Sequence, residues 1–193
     1  MTNPDDKLAA YLGGQMNPLQ RKEQMREELR RRFDANGEED CTGVVCEIVK
    51  YLEERPELQH VAIFSALPGE VDLRSLPEQV ERTWVFPKVI GEELVFRVVR
   101  SFEDDMECGS FGIMEPKDEL ESMSVDEIDL FLCPGLGFDV RGGRIGRGKG
   151  FYDRMLSRAR PNAVKLGVCF GYQIVDEVVM DEHDVRMNGV IAG

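Results

Sequence analysis

Residues 142–154 read GGRIGRGKGFYDR, and the stretch from Gly135 to Gly150 holds seven glycines interleaved with Arg141, Arg144, Arg147 and Lys149. Glycines permit left-handed torsions and close approach of backbone N–H groups to a ligand, and such nests attract phosphate. Guanidinium groups add bidentate grip on phosphate oxygens. The chemistry this pattern suits is polyphosphate binding, although neither standard label applies. Gly143, Gly148 and Lys149 satisfy the first seven places of the P-loop pattern, but the eighth is Gly150, which has no hydroxyl for Mg²⁺. Gly146, Gly148 and Gly150 give G-x-G-x-G, which is not the dinucleotide fingerprint. On these residues alone, a nucleotide site of another design and a solvated basic loop are both open. Other candidates are Lys22 and Arg26, one helical turn apart, Glu70 just after Pro68-Gly69, Asp153 at a helix start, and the pair His183-Asp184. No Ser-His-Asp or Cys-His constellation is present.

These residues need elements to hold them. Met25, Leu29 and Phe33 recur every fourth residue, with Lys22, Arg26 and Arg30 as a parallel basic stripe, so Leu19–Phe33 is predicted to be an amphipathic helix. A second helix is expected from roughly Glu39 to Glu54, ending before Pro56. The near-continuous apolar runs at 60–67, 83–89, 93–99, 128–136 and 163–170 suit strands covered on both faces. Helical pieces are expected between them at Asp72–Arg82, Phe151–Ala159 and Gln173–Val178. Strands alternating with helices indicate an α/β fold, a three-layer α/β/α sandwich with a mainly parallel sheet. The runs at 83–89 and 93–99 are so close that they form an edge β-hairpin. In open sheets of this kind ligands sit at the carboxyl ends of strands, where the glycine-rich loop falls.

The chain has 193 residues and a net charge of −13, with 42% hydrophobic and 32% charged residues, an ordinary globular balance. We expect a loosely ordered arm over 1–17 and a single α/β catalytic domain over 18–193. The acidic balance argues against nucleic acid or an anionic membrane as partner. It leaves room for a local anion site: Arg141 to Lys165 holds eight of the 24 basic residues and one of the 37 acidic ones, Asp153. Five cysteines without a C-x-x-C read as reduced, buried thiols, and two histidines outside ligand spacing argue against zinc. The start MTNPDDKLAAYLGG reads as neither signal peptide nor membrane span, so a cytoplasmic protein is expected.

PGLGFDVRGGRIGRGKGFYDRML closely resembles the signature of the 5-formyltetrahydrofolate cyclo-ligase family, also called 5,10-methenyltetrahydrofolate synthetase. That signature is approximately P-G-L-A-F-D, two residues, G, one residue, R-L-G, one residue, G, one residue, G-Y-Y-D-R. The spacing is the same here, with Gly137, Ile145 and Phe151 as mild departures. Lys22–Arg26, FSALPGEVD (64–72), GSFGIMEP (109–116) and EHDVRMNGVI (182–191) resemble further family segments, from about residue 19 to the end.

The resemblance implies an ATP- and Mg²⁺-dependent monomer that cyclises 5-formyltetrahydrofolate to 5,10-methenyltetrahydrofolate with release of ADP and phosphate. It implies that Arg144, Arg147, Lys149 and the backbone of Gly146, Gly148 and Gly150, with Lys22, Arg26, Tyr152 and Asp153, hold the nucleotide. Glu70 would face the pterin or N10, flanked by Phe64, Phe111 and Tyr152; Asp153 and Asp184 would ligate Mg²⁺. Arg144, Lys149 and Glu70 would carry the catalytic roles. Plain core packing is the competing reading for Phe64, and the favoured one for Trp84. A sugar-phosphate isomerase on a related sheet, or a non-catalytic nucleotide- or folate-binding protein, are the alternatives; ATP dependence and turnover separate them.

Overall fold

The computed structural model describes residues 16–36, 40–109 and 112–193. The expected arm therefore lies outside the described residues except for Met16 and Asn17, as does Phe111. Helix α1 spans Pro18–Asn36. It begins with reciprocal capping: the Gln20 N–H donates to Asn17 Oδ1 at 2.9 Å, and the Asn17 N–H donates to Gln20 Oε1 at 3.0 Å. Pro18 occupies the first helical place, where the missing N–H has no intrahelical partner to lose. Helix α2, Thr42–Glu53, buries Val44, Val45, Ile48 and Leu52 on one face.

Then follow strand β1 (His60–Ala62), the single turn α3 (Leu76–Gln79), and the hairpin β2 (Thr83–Ile90) and β3 (Glu93–Val98). After them come α4 (Phe102–Asp105), β4 (Met106–Cys108), β5 (Met114–Pro116) and β6 (Ser122–Met123). The last third holds β7 (Leu130–Cys133), β8 (Gly137–Phe138), β9 (Arg144–Ile145), α5 (Phe151–Leu156), β10 (Val164–Cys169) and β11 (Gly189–Ala192).

Seven strands form the central sheet in the order β11-β10-β7-β1-β2-β3-β6. The first five run parallel, while β3 and β6 are antiparallel to their neighbours. Both faces are covered, as the continuous apolar runs require. Leu130 and Leu132, with Val61, Trp84, Phe86, Leu166 and Val168, pack with the apolar face of α2. Phe131 and Cys133, with Ala62, Val85 and Cys169, point the other way and meet Met155 and Leu156 of α5. The strand period of two thus fills two cores from one sheet. Beneath it Asp129 ties strand starts together: Oδ2 accepts the N–H groups of Gln59 and His60, and Oδ1 pairs with Arg160.

Two expected helices are cut short, each by a side chain that claims the backbone. Asp72 Oδ1 accepts the Arg74 N–H at 3.0 Å, a local turn that competes with helix, leaving only α3 of the expected Asp72–Arg82. The Gln173–Val178 segment contributes one 3₁₀ turn, Gly171–Gln173. Beyond it the buried Gln173 side chain accepts the Phe170 N–H and donates to the Gly135 and Leu136 carbonyls, so it stitches loops instead of facing solvent from a helix. Of the five cysteines only Cys133 and Cys169 are buried; Cys46 and Cys108 are exposed.

The loop after β7 is fixed by Asp139. Its carboxylate is 1% exposed. Oδ1 accepts the N–H groups of Arg141 (2.8 Å) and Gly143 (2.9 Å), and Oδ2 accepts Val178 N–H (2.8 Å). A Cβ on Gly143 would lie 2.4 Å from Asp139 Oδ2, and one on Gly142 would lie 2.1 Å from the Met187 carbonyl oxygen, which explains the glycine pair. Burial alone would raise the Asp139 pKa, but the three N–H donors outweigh it and hold it below the ordinary carboxylate value. A depressed folded pKa contributes stability above the unfolded value near ~4, lost as pH falls through the folded one. Asp139→Asn, which turns an amide NH₂ onto a donor, is expected to lower stability by about 2–3 kcal/mol at neutral pH. In urea titrations the gap between the two proteins should narrow as pH falls below about 4; a gap that is constant with pH would contradict this role.

Candidate active site

Connections from β1 to β2 and from β7 to β10 leave the sheet in opposite directions, since β2 lies on one side of the β1–β7 pair and β10 on the other. The carboxyl ends of β1 and β7 are therefore a topological switch point, the place where open α/β sheets bind ligands. The loops that meet there are Ile63–Asp72 and Pro134–Gly150, which carry most of the sequence-derived candidates.

The basic loop is shaped by its glycines and by what its cations touch. Gly148 has φ of 102° and Gly150 φ of 67°, both left-handed, and Gly150 caps α5. Arg144 is buried: Nη2 pairs with Asp153 Oδ2 at 2.9 Å, Nη1 donates to the Pro134 carbonyl at 3.4 Å, and Cζ lies 5.4 Å from the Tyr152 ring centroid. Its Nε is buried with no hydrogen-bond partner. Arg147 stands further out, with Nε on Glu70 Oε1 at 3.0 Å and Nη2 donating to the Pro68 carbonyl at 3.1 Å. Lys149 is exposed, and its carbonyl accepts a bond from Arg154.

Helix α1 covers the loop from one side. Leu29 enters a small apolar cluster with Leu136, Ile145 and Val178. One turn earlier, Arg26 Nε donates to the Gly146 carbonyl at 3.0 Å, and its guanidinium lies against Gly148, where a Cβ would sit 3.4 Å from Arg26 Cζ. Lys22 is drawn elsewhere: its ammonium is buried between Asp181 Oδ2, at 2.7 Å, and Asp184 Oδ2. Burial would lower its pKa, but the hydrogen bonds and charges of the two aspartates more than compensate and raise it. The Lys22 hydrogen bond, followed by that of the His183 N–H, leads the effects that depress the Asp181 pKa.

Glu70 faces this assembly from the loop after β1. Burial pushes its pKa up, opposed by the charge of Arg147 and by bonds from the Leu67 N–H and Arg147. Tyr152 lies at the base of α5, its hydroxyl pKa pushed up mainly by burial. Phe64 is 3% exposed and belongs to the core facing α2, where Trp84 also sits with its indole N–H on the Val80 carbonyl. His183 is solvent-exposed.

Asp153 and Asp184 come close, because Asp153 Oδ1 accepts the Val185 N–H at 3.2 Å. Each, however, already holds a cation, Arg144 or Lys22, and among the described residues no group of three or more His, Cys, Asp or Glu side chains could hold a metal ion. Sequence reasoning passed over three residues that organise the site. Asp139 lies within the glycine-rich stretch, Gln173 in a segment whose pattern suits a helix, and Asp181 two residues before His183-Asp184, and each acts through contacts that local pattern does not reveal.

No helix among the described residues is long and apolar enough to cross a membrane. The model of the 5-formyltetrahydrofolate cyclo-ligase family matches residues 18–193. The probable 5-formyltetrahydrofolate cyclo-ligase of Schizosaccharomyces pombe is 31% identical over 166 residues, which cover 76% of this chain and 81% of that protein. The solved structure of Aquifex aeolicus 5,10-methenyltetrahydrofolate synthetase matches with a TM-score of 0.74 at 32% identity, over 89% of each chain. The Mycoplasma pneumoniae synthetase matches with a TM-score of 0.71 over 88% of this chain and 97% of its own, and at 24% identity supports the fold alone. With sheet, loop and full-length match in agreement, this chain belongs to the 5-formyltetrahydrofolate cyclo-ligase family.

Proposed function

We propose that the protein cyclises 5-formyltetrahydrofolate to 5,10-methenyltetrahydrofolate at the expense of ATP, releasing ADP and phosphate. The observation that carries this reading is the meeting, at one switch point, of a glycine-rich cationic loop and a buried carboxylate, Glu70, in a chain of this family. The formyl oxygen attacks the γ-phosphate, N10 then closes the ring, and phosphate departs. No enzyme nucleophile is required; the protein holds two ligands in line and neutralises phosphate charge.

In this reading the triphosphate lies along Gly146, Gly148 and Gly150, met by Lys149 and Arg147 from the loop and by Arg26 from α1. Arg144 acts from below, as the buried cation that fixes Asp153 and the loop backbone. Lys22 serves through its aspartate pair, which anchors α1 over the loop. Glu70 orients the folate or accepts a proton from it; Tyr152 flanks the pterin, whereas Phe64 supports the strand end from the core. Asp153 fits Mg²⁺ poorly as a direct ligand, since Arg144 holds its Oδ2 and the Val185 N–H its Oδ1, and Asp184 already has its Oδ2 on Lys22 and the Asp181 N–H. Mg²⁺ would be held chiefly by the nucleotide's own phosphates and would add to the charge neutralisation that Lys149, Arg147 and Arg26 provide. Residues 18–193 act as one catalytic domain, in a cytoplasmic monomer with no nucleic-acid or membrane partner.

With 5-formyltetrahydrofolate, Mg²⁺ and ATP, the near-ultraviolet band of methenyltetrahydrofolate should grow, and omission of ATP should abolish it. Growth without ATP, or none at all, would remove the cyclo-ligase reading. Lys149→Ala should weaken ATP binding by roughly 10- to 100-fold, the loss of one charge-assisted contact, with an unchanged melting temperature. Unaltered affinity would take Lys149 out of the site. Glu70→Gln should cut turnover without weakening ATP binding; full activity in that variant would move the folate pocket elsewhere.

A further inference from the structure

A single guanidinium joins the two sides of the cleft. Arg147 leaves the basic loop between Gly146 and Gly148 and crosses to the loop after β1, where it holds both the Glu70 carboxylate and the Pro68 carbonyl. The two partners of this ion pair differ in freedom. The Glu70 side chain is 6% exposed, and its second oxygen accepts the Leu67 N–H at 3.1 Å, so its own turn fixes it. Arg147 is 40% exposed on a long flexible stem.

A buried carboxylate stripped of its cation is unfavourable, which explains why Arg147 lies on Glu70. A phosphate reaching Gly146–Gly150 approaches Arg147 from its solvent side and offers oxygens of the same fork geometry as a carboxylate. Arg147 can turn to it; Glu70 cannot follow. Glu70 is then buried, charged and short of a donor, beside the space where the second substrate must lie. A reduced pterin carries several N–H groups able to supply that donor.

We propose that Arg147 is an exchangeable cation: it neutralises Glu70 until nucleotide binds, then moves to the phosphates and releases the carboxylate to accept an N–H of the folate. This rests on the assignment of the nucleotide to the glycine-rich loop. Arg147 thus positions Glu70 for the folate instead of only gripping ATP. The exchange makes the two ligands tighten one another, by the same factor in either order, because coupling free energies are reciprocal.

The test is calorimetric titration of 5-formyltetrahydrofolate with and without saturating β,γ-imido-ATP and Mg²⁺. In the wild-type protein the nucleotide analogue should tighten folate binding about fivefold or more. Arg147→Met should bind folate alone about as tightly as the wild type does with nucleotide, and added nucleotide should change nothing. Should that variant fold poorly, Glu70→Gln serves the same purpose, because removing either partner must bring the coupling factor to one. A wild-type factor of one, or an equal factor in wild type and both variants, overturns the exchange while leaving the site assignment standing. Failure of the wild type to bind either ligand overturns both.

Discussion

The Asp139 carboxylate holds the loop on which the rest of the site depends. Three backbone N–H groups, from Arg141, Gly143 and Val178, converge on it, and these belong to two chain segments that share no regular ladder beyond an isolated bridge. A loop so rich in glycine has a large conformational entropy to lose, and a buried anion surrounded by donors is an effective way to select one of its conformations. Once Asp139 has fixed the turn, β8 and β9 pair, Ile145 enters the apolar cluster beneath α1, and Arg144 is delivered to Asp153. The geometry of the cationic loop therefore follows from a buried carboxylate within it.

A protein with a net charge of −13 must present positive potential locally to receive a polyanion, and the structure shows how the cations are kept in place. Arg144, Arg147 and Arg141 each hold a carboxylate, on Asp153, Glu70 and Glu177, while Lys22 holds two. The pairs differ in burial, and burial separates their roles. Arg144 with Asp153 and Lys22 with Asp184 are largely enclosed, where breaking an ion pair strands a charge and is costly, so they act as fixed struts. Arg141, paired with the exposed Glu177, contributes little to stability. Arg147 combines an exposed cation with a buried anion at hydrogen-bond distance, which suits it to change partners; Arg141 stands 3.9 Å from the buried Asp139, whose oxygens are already held by backbone N–H groups.

Much of this was legible in the sequence, because the signals were periodic or compositional. Apolar runs gave both faces of the sheet, the near-contiguous runs at 83–89 and 93–99 gave the hairpin, and the fourfold repeat of Met25, Leu29 and Phe33 gave α1. Glycines and arginines marked the loop that falls at the switch point. What remained hidden depends on contacts between distant residues. Nothing in the local pattern of 173–178 says that Gln173 spends its side chain on Gly135 and Leu136, some 37 residues earlier, and so prevents the helix its surroundings favour. Cys46, amid the apolar residues of α2, sits on that helix's outward face, and Cys108 ends the short strand β4 in an acidic stretch, exposed. The pairing of Lys22 with Asp181 and Asp184 spans about 160 residues and was likewise beyond reach.

The near match to a P-loop can now be explained physically. The eighth place of that pattern is a hydroxyl residue on an ordinary helical backbone, whereas here the place is taken by Gly150 at φ of 67°, a conformation rarely adopted by residues with a side chain. A Cβ there would also lie 2.8 Å from Arg154 Nη1, which donates to the Lys149 carbonyl while Nη2 of the same guanidinium donates to the Glu92 carbonyl, so the group has restricted room to yield. The left-handed cap turns the chain abruptly into α5 and sends Lys149 outward while Tyr152 and Asp153 turn inward beside Arg144. Serine or threonine at 150 would therefore disturb the turn that places Lys149 and Asp153 on opposite sides of the backbone. The loop lacks the hydroxyl because its geometry has no place for one.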